Sequence, residues 1–150
     1  MRMSKNNSVA NLYAVAKPKQ RYFRLPYFLF SVQAGFTSPA DGYIEKALDM
    51  NDYLIRNEDA SFIFRISGQS MHDAGILDGD KVVVDRSIYP RHGDIVIAVV
   101  DGDFTIKRLF QRGQRIELHP ENPEFRPIVF REGQELKIWG VVVSAVRRYF

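Results

Sequence analysis

The chain has no cysteine among its 150 residues. That excludes a disulfide framework, a thiol nucleophile and a cysteine-based zinc site, and it suits a reducing compartment such as the cytoplasm. There is no apolar run near the roughly 20 residues that a membrane helix requires, so no membrane association is expected. Nor does the start of the chain carry the continuous apolar segment of a secretory signal. Acidic residues are missing from residues 1–34, which hold Arg2, Lys5, Lys17, Lys19, Arg21 and Arg24. This basic stretch superficially resembles a transit peptide, but Pro18, Pro26 and clustered aromatics interrupt any helical apolar stripe.

What remains is ordinary for a globular domain: 45% hydrophobic and 26% charged residues. The formal charge of +3 hides an asymmetry. Six basic side chains precede Gly35, and the remainder carries 15 basic and 18 acidic ones, a basic arm on an acidic body.

Residues 1–25 read as an arm with weak periodicity, and Tyr27-Phe28-Leu29-Phe30 as a β-prone stretch able to lie on the body. Ser31 to Gly42 has the Gly, Ser, Thr, Pro and Ala content of an exposed loop. A short helix is expected within Asp41–Arg56, with Asp49 or Asn51 as its cap. Strands are expected at Ser61–Ile66, Lys81–Asp85, Asp94–Val100, Phe104–Phe110, Arg115–Leu118, Pro127–Phe130 and from Leu136 to Phe150. Asp101-Gly102 is a favoured type I′ hairpin pair. Many short strands joined by turns predict a compact, mainly β body of mostly antiparallel strands behind a flexible N-terminal arm.

Two short stretches carry chemistry. Ser67-Gly68-Gln69-Ser70-Met71 sets a serine just past a glycine turn, where the backbone N–H groups of Gln69 and Ser70 are candidate oxyanion donors. In Phe104-Thr105-Ile106-Lys107-Arg108, strand alternation puts Thr105 and Lys107 on one face and Ile106 on the other. A lysine serves as a base only when neutral, and burial among apolar groups lowers its pKa toward that state. Thr105 is placed to orient the Lys107 nitrogen. Each piece alone has a plainer reading: a Ser/Gly loop, and an edge-strand lysine with a solvated head. His72, two positions from Ser70, is the alternative base, although a histidine triad needs an acid and a geometry that spacing does not supply. His92 and His119 read as surface or turn residues.

Taken together and in order, these pieces resemble the LexA/UmuD family of self-cleaving serine-lysine peptidases. The likeness runs through Ala34-Gly35-Phe36 with Ser38-Pro39, then Ser67-Gly68-Gln69-Ser70-Met71 and Gly75-Ile76-Leu77-Asp78-Gly79-Asp80. It continues in Val84-Asp85, His92-Gly93-Asp94-Ile95-Val96, Phe104-Thr105-Ile106-Lys107-Arg108, Pro120-Glu121-Asn122 and Trp139-Gly140-Val141-Val142.

The resemblance implies Ser70 as nucleophile, Lys107 as base and Ala34-Gly35 as the bond cut. It divides the chain into an arm, 1–34, and a peptidase and polymerase-accessory domain, 35–150. It also implies stimulation by a RecA filament on single-stranded DNA, a homodimer, and a UmuC-like error-prone polymerase as partner of the product. No cofactor and no metal are expected. Direct sequence-specific DNA binding is not expected either, because 34 residues with two prolines cannot supply the helix-turn-helix of a repressor.

Two other functions compete. The basic arm, with Tyr22, Phe23, Tyr27, Phe28 and Phe30, suits a single-stranded nucleic-acid-binding module. A signal-type peptidase shares the serine-lysine chemistry but requires a membrane anchor.

Overall fold

The computed structural model describes residues 24–28, 31–35, 37, 44–131 and 133–150. They form two units that divide between Asp49 and Met50. In the first, β1 (Arg24–Phe28) pairs antiparallel with β2 (Ile44–Asp49), with a register shift between Tyr27 and Phe28. The expected helix over Asp41–Arg56 is therefore only partly realised. Ile44–Asp49 is strand, and the helix is confined to α1 (Met50–Leu54), immediately after Asp49. Glu45, Lys46, Ala47 and Leu48 favour helix locally, but a ladder to a partner strand some 20 residues earlier overrides that weak preference. The expected arm up to residue 23, including Tyr22 and Phe23, lies outside the described residues, as do Leu29, Phe30, Phe36, Ser38 and Pro39.

The second unit is built on one antiparallel sheet. Its strands are β3 (Ser61–Arg65), β4 (Lys81–Asp85), β5 (Ile95–Val100), β6 (Asp103–Arg112), β7 (Arg115–His119), β8 (Ile128–Val129) and β9 (Leu136–Val146). In space their order is β3-β4-β9-β5-β6-β7-β8. The expected mainly β, mostly antiparallel body is thus what forms. β5 and β6 join through Asp101 (φ 48°) and Gly102 (φ 89°), the paired positive φ values of a type I′ turn.

The central strand β5 is buried on both faces, which is why it reads as an unbroken apolar run. Ile97 packs with Ile66, Met71, Ile76, Val82, Val84 and Ile106. Its neighbours Val96 and Ala98 face the other way, toward Leu109, Leu118 and Val141.

β9 spans the sheet between β4 and β5 by taking up two extra residues. Its pairing skips Trp139 opposite β5 and Val143 opposite β4, so the strand bends at each place. At the first bend Trp139 receives Phe62 and Phe64 edge-on, at ring-centroid distances of 5.1 and 4.9 Å. Arg86 covers the indole, its guanidinium carbon 4.4 Å from the ring centroid, and donates to the Trp139 carbonyl at 3.1 Å. Gly140 follows because nothing larger fits: a β-carbon there would lie 2.7 Å from Val84 Cγ1.

Among the described residues no helix is long and apolar enough to cross a membrane, and no cluster of His, Asp or Glu could hold a metal ion.

Candidate active site

The segment that carries Ser70 leaves β3 through Ile66, whose backbone still bonds across the loop to Asp80 and Gly79 at 2.8 Å each. Gly68 makes the turn with φ 93°, a conformation that side-chain-bearing residues rarely adopt. Its N–H donates to Asp78 Oδ1 at 2.7 Å. Met71, 1% exposed, then plugs the apolar cluster beneath and anchors the turn from below. A 3₁₀ turn at His72–Ala74 follows and closes on Gly75.

The other half of the site comes from β6. Lys107 pairs with Val96, and Ile106 with Ile97, so Ile106 enters the first core cluster while Thr105 and Lys107 share the opposite register. The Lys107 side chain is buried, with 9% of the residue exposed. Its Nζ lies 3.0 Å from Ser70 Oγ, 2.9 Å from Thr105 Oγ1 and 2.9 Å from the Ile106 carbonyl oxygen.

No carboxylate is among those partners, and burial pushes the amine below the ordinary lysine value by penalising its charged form. An amine that is neutral at accessible pH can accept the serine proton at this distance. The two groups open on a cleft of about 270 Å³ lined by both apolar and polar residues, among them Phe64, Arg65, Ile66, Ser67, Phe104 and Thr105.

The three side chains anticipated from sequence, Ser70, Thr105 and Lys107, therefore meet at one point, and Gln69 precedes Ser70 on the same turn. Among the described residues no acceptor takes the backbone N–H of Gln69 or of Ser70. Ala34 and Gly35 lie at an exposed bend in the first unit.

The histidines are occupied elsewhere. His72 is largely exposed and bonds its neighbour Asp73 at 3.1 Å. His92 Nδ1 accepts from the Gln111 N–H at 3.0 Å. His119 pairs with Glu117 at 2.6 Å and stacks on Phe110.

Sequence reasoning did not anticipate what holds the serine turn in shape. Pro120-Glu121-Asn122 packs alongside it: Glu121 N–H donates to the Ser70 carbonyl, and Asp73 N–H to the Glu121 carbonyl, both at 2.8 Å. Asn122 Nδ2 donates to the Gln69 carbonyl at 2.8 Å. Arg108, next to Lys107, bonds the Glu121 carboxylate and the Gly93 carbonyl. Farther along, Asp80 accepts from the Leu77 N–H at 2.8 Å and from Arg147 at 2.7 and 2.6 Å. The Arg147 hydrogen bond is the main reason that the Asp80 carboxyl is held below its ordinary value, against the cost of its burial. The presence of Pro120-Glu121-Asn122 among the ordered motifs was the available signal, but no local pattern assigns it a partner.

A mainly β body with a serine hydroxyl bonded to a buried, uncompensated lysine amine has the arrangement of a serine-lysine hydrolase. The sequence profile of the Peptidase S24-like family matches residues 26–143. ImpA of Escherichia coli is 47% identical over 125 residues, covering 82% of this chain and 83% of ImpA. MucA of Escherichia coli is 41% identical over 128 residues, covering 84% and 86%. The LexA repressor of Syntrophotalea carbinolica is 47% identical over 88 residues, 59% of this chain and 44% of that protein. The chain belongs to the Peptidase S24-like family. It is a self-cleaving serine endopeptidase of the UmuD-like kind, associated with the SOS response to DNA damage.

Proposed function

We propose that Ser70 and Lys107 cut the chain's own Ala34–Gly35 bond, and the observation that carries this reading is the 3.0 Å approach of Lys107 Nζ to Ser70 Oγ. Neutral Lys107 takes the Ser70 proton as Oγ bonds to the Ala34 carbonyl carbon. The negative charge that builds on the carbonyl oxygen is met by the N–H groups of Gln69 and Ser70. Collapse breaks the bond to Gly35, whose nitrogen receives the proton from the Lys107 ammonium. The Ser70–Ala34 ester is then hydrolysed: Lys107 takes a proton from water and returns one to Ser70. Thr105 holds the lysine nitrogen in line throughout.

The exposure of Ala34 and Gly35 supports their role as substrate, since a bond to be cut must leave its surroundings and enter a cleft. A small side chain before the bond also suits a narrow site. The product, residues 35–150, loses all six basic side chains of the arm and carries 15 basic against 18 acidic ones. Cleavage thus reverses the sign of its net charge and changes which surfaces it attracts.

We further propose that a RecA filament on single-stranded DNA promotes cleavage in the cytoplasm. The product, as a homodimer, then serves a UmuC-like error-prone polymerase in translesion synthesis. Cleavage at neutral pH should be slow alone and much faster with RecA, a non-hydrolysable ATP analogue and single-stranded DNA. Equal rates with and without the filament would contradict the stimulated step.

A further inference from the structure

The N–H of Ser70 belongs to the same peptide unit as the carbonyl of Gln69. A trans peptide is planar, with N–H and C=O pointing in opposite directions, so a grip on the oxygen also sets the aim of the N–H. The described residues contain no cis peptide bond, and Asn122 Nδ2 grips this oxygen at 2.8 Å. The next unit, Ser70–Met71, is gripped in the same way, by the Glu121 N–H on the Ser70 carbonyl at 2.8 Å. Two consecutive peptide planes of the serine turn are thus held from their carbonyl side by this external turn, the Gln69 oxygen also accepting the His72 N–H at a longer 3.2 Å, and among the described residues the Ser70 N–H on the far side has no acceptor.

Asn122 is itself fixed. Its Oδ1 accepts the Glu124 N–H at 3.0 Å, which leaves Nδ2 directed at Gln69. The turn that bears it is tied to the strand of the base through Arg108 and the Glu121 carboxylate.

We infer that Asn122 is a positioning residue for the self-cleavage reaction, setting the Gln69–Ser70 peptide plane so that its N–H meets the oxyanion. The inference rests on the assignment of Ser70 as nucleophile. The side chain of Asn122 bonds the Gln69 carbonyl and the Glu124 N–H, and it is not among the hydrogen-bond partners of Lys107. Its effect therefore falls on stabilisation of the transition state and not on the protonation of the base.

Two substitutions separate this role from a merely structural one. Asn122→Asp keeps the Oδ1 acceptor for Glu124 and the shape of the side chain, but its carboxylate cannot donate to Gln69. Asn122→Ala removes the donor without adding charge. Spontaneous cleavage is followed from pH 6 to 11 by intact mass, with thermal unfolding of each variant measured alongside.

Both variants are expected to lower the alkaline plateau about 10- to 100-fold, less than outright loss of an oxyanion donor. The Asn122→Ala profile should keep the wild-type midpoint, and Asn122→Asp should unfold within a few degrees of the parent. A plateau within about twofold of wild type for Asn122→Asp would overturn the inference. So would an Asn122→Ala loss accounted for by a displaced midpoint, since that would place the effect on Lys107. Normal cleavage by Ser70→Ala in the same assay would overturn the nucleophile assignment, and this inference with it.

Discussion

Lys107 Nζ stands 3.0 Å from Ser70 Oγ and 2.9 Å from Thr105 Oγ1, three side chains from two segments of the chain converging on one nitrogen. Ser70→Ala and Lys107→Ala should each abolish self-cleavage, because nucleophile and base act as one unit. Thr105→Val should slow it by about tenfold, the scale of losing one orienting hydrogen bond to a reacting group. Single-turnover rates by gel or mass spectrometry check all three. Normal cutting by Lys107→Ala together with loss in His72→Ala would move the base to histidine.

The pH dependence follows from the burial of Lys107. Only the neutral amine is active, so spontaneous cleavage should rise with pH and level off below the ordinary lysine value of 10.5. A histidine base would level off near pH 6 to 7, about its unperturbed pKa.

Stability carries the same signature. Between the lowered folded pKa and 10.5 the unfolded state binds more protons at this site than the folded one, so stability should rise with pH across that window. In a Ser70→Ala background, which removes cleavage, Lys107→Met should flatten that part of the curve. Denaturant midpoints from pH 7 to 10 measure it.

Asp80 is 2% exposed and has Arg147 as its charged partner. Arg147→Ala leaves that carboxylate buried without its cation and should lower the thermal midpoint by several degrees. Because the Asp80 pKa is depressed in the folded state, the stability it contributes is present above its ordinary value of 3.8 and lost as pH falls through the lower folded value. The gap between wild type and Arg147→Ala should therefore narrow in acid. A gap that stays constant down to pH 2 would show that Arg147 acts by packing alone.

Gly140→Ala introduces a β-carbon 2.7 Å from Val84 Cγ1 and 3.3 Å from the Asp85 carbonyl oxygen, both in the buried β4 strand. The substitution should destabilise the body by about 1–3 kcal/mol, as overpacking does. Urea denaturation checks it, and a second substitution, Val84→Ala, should recover part of the loss.

The hairpin at Asp101-Gly102 and the β4 strand were legible because their signals are local: a turn dipeptide with its own φ demands, and an apolar run bounded by charged loops. Lys107 was legible as a site residue only through its pairing with a glycine-turned serine upstream. Elsewhere the deciding partner lies far along the chain. Ile44–Asp49 has helix-favouring residues and becomes a strand because β1 pairs with it. Asn122 acquires a role from Gln69, 53 positions away, and Arg147 from Asp80, 67 positions away. The two bends of β9 follow from fitting one strand between two neighbours, and no turn residue announces the one at Val143.

The most direct test is the mass of what the protein becomes when incubated alone at alkaline pH. We predict two products, residues 1–34 ending in the Ala34 carboxylate and a 116-residue chain beginning with Gly35, with neither formed by Ser70→Ala. A cut at another bond, or the same products from Ser70→Ala, would contradict the account.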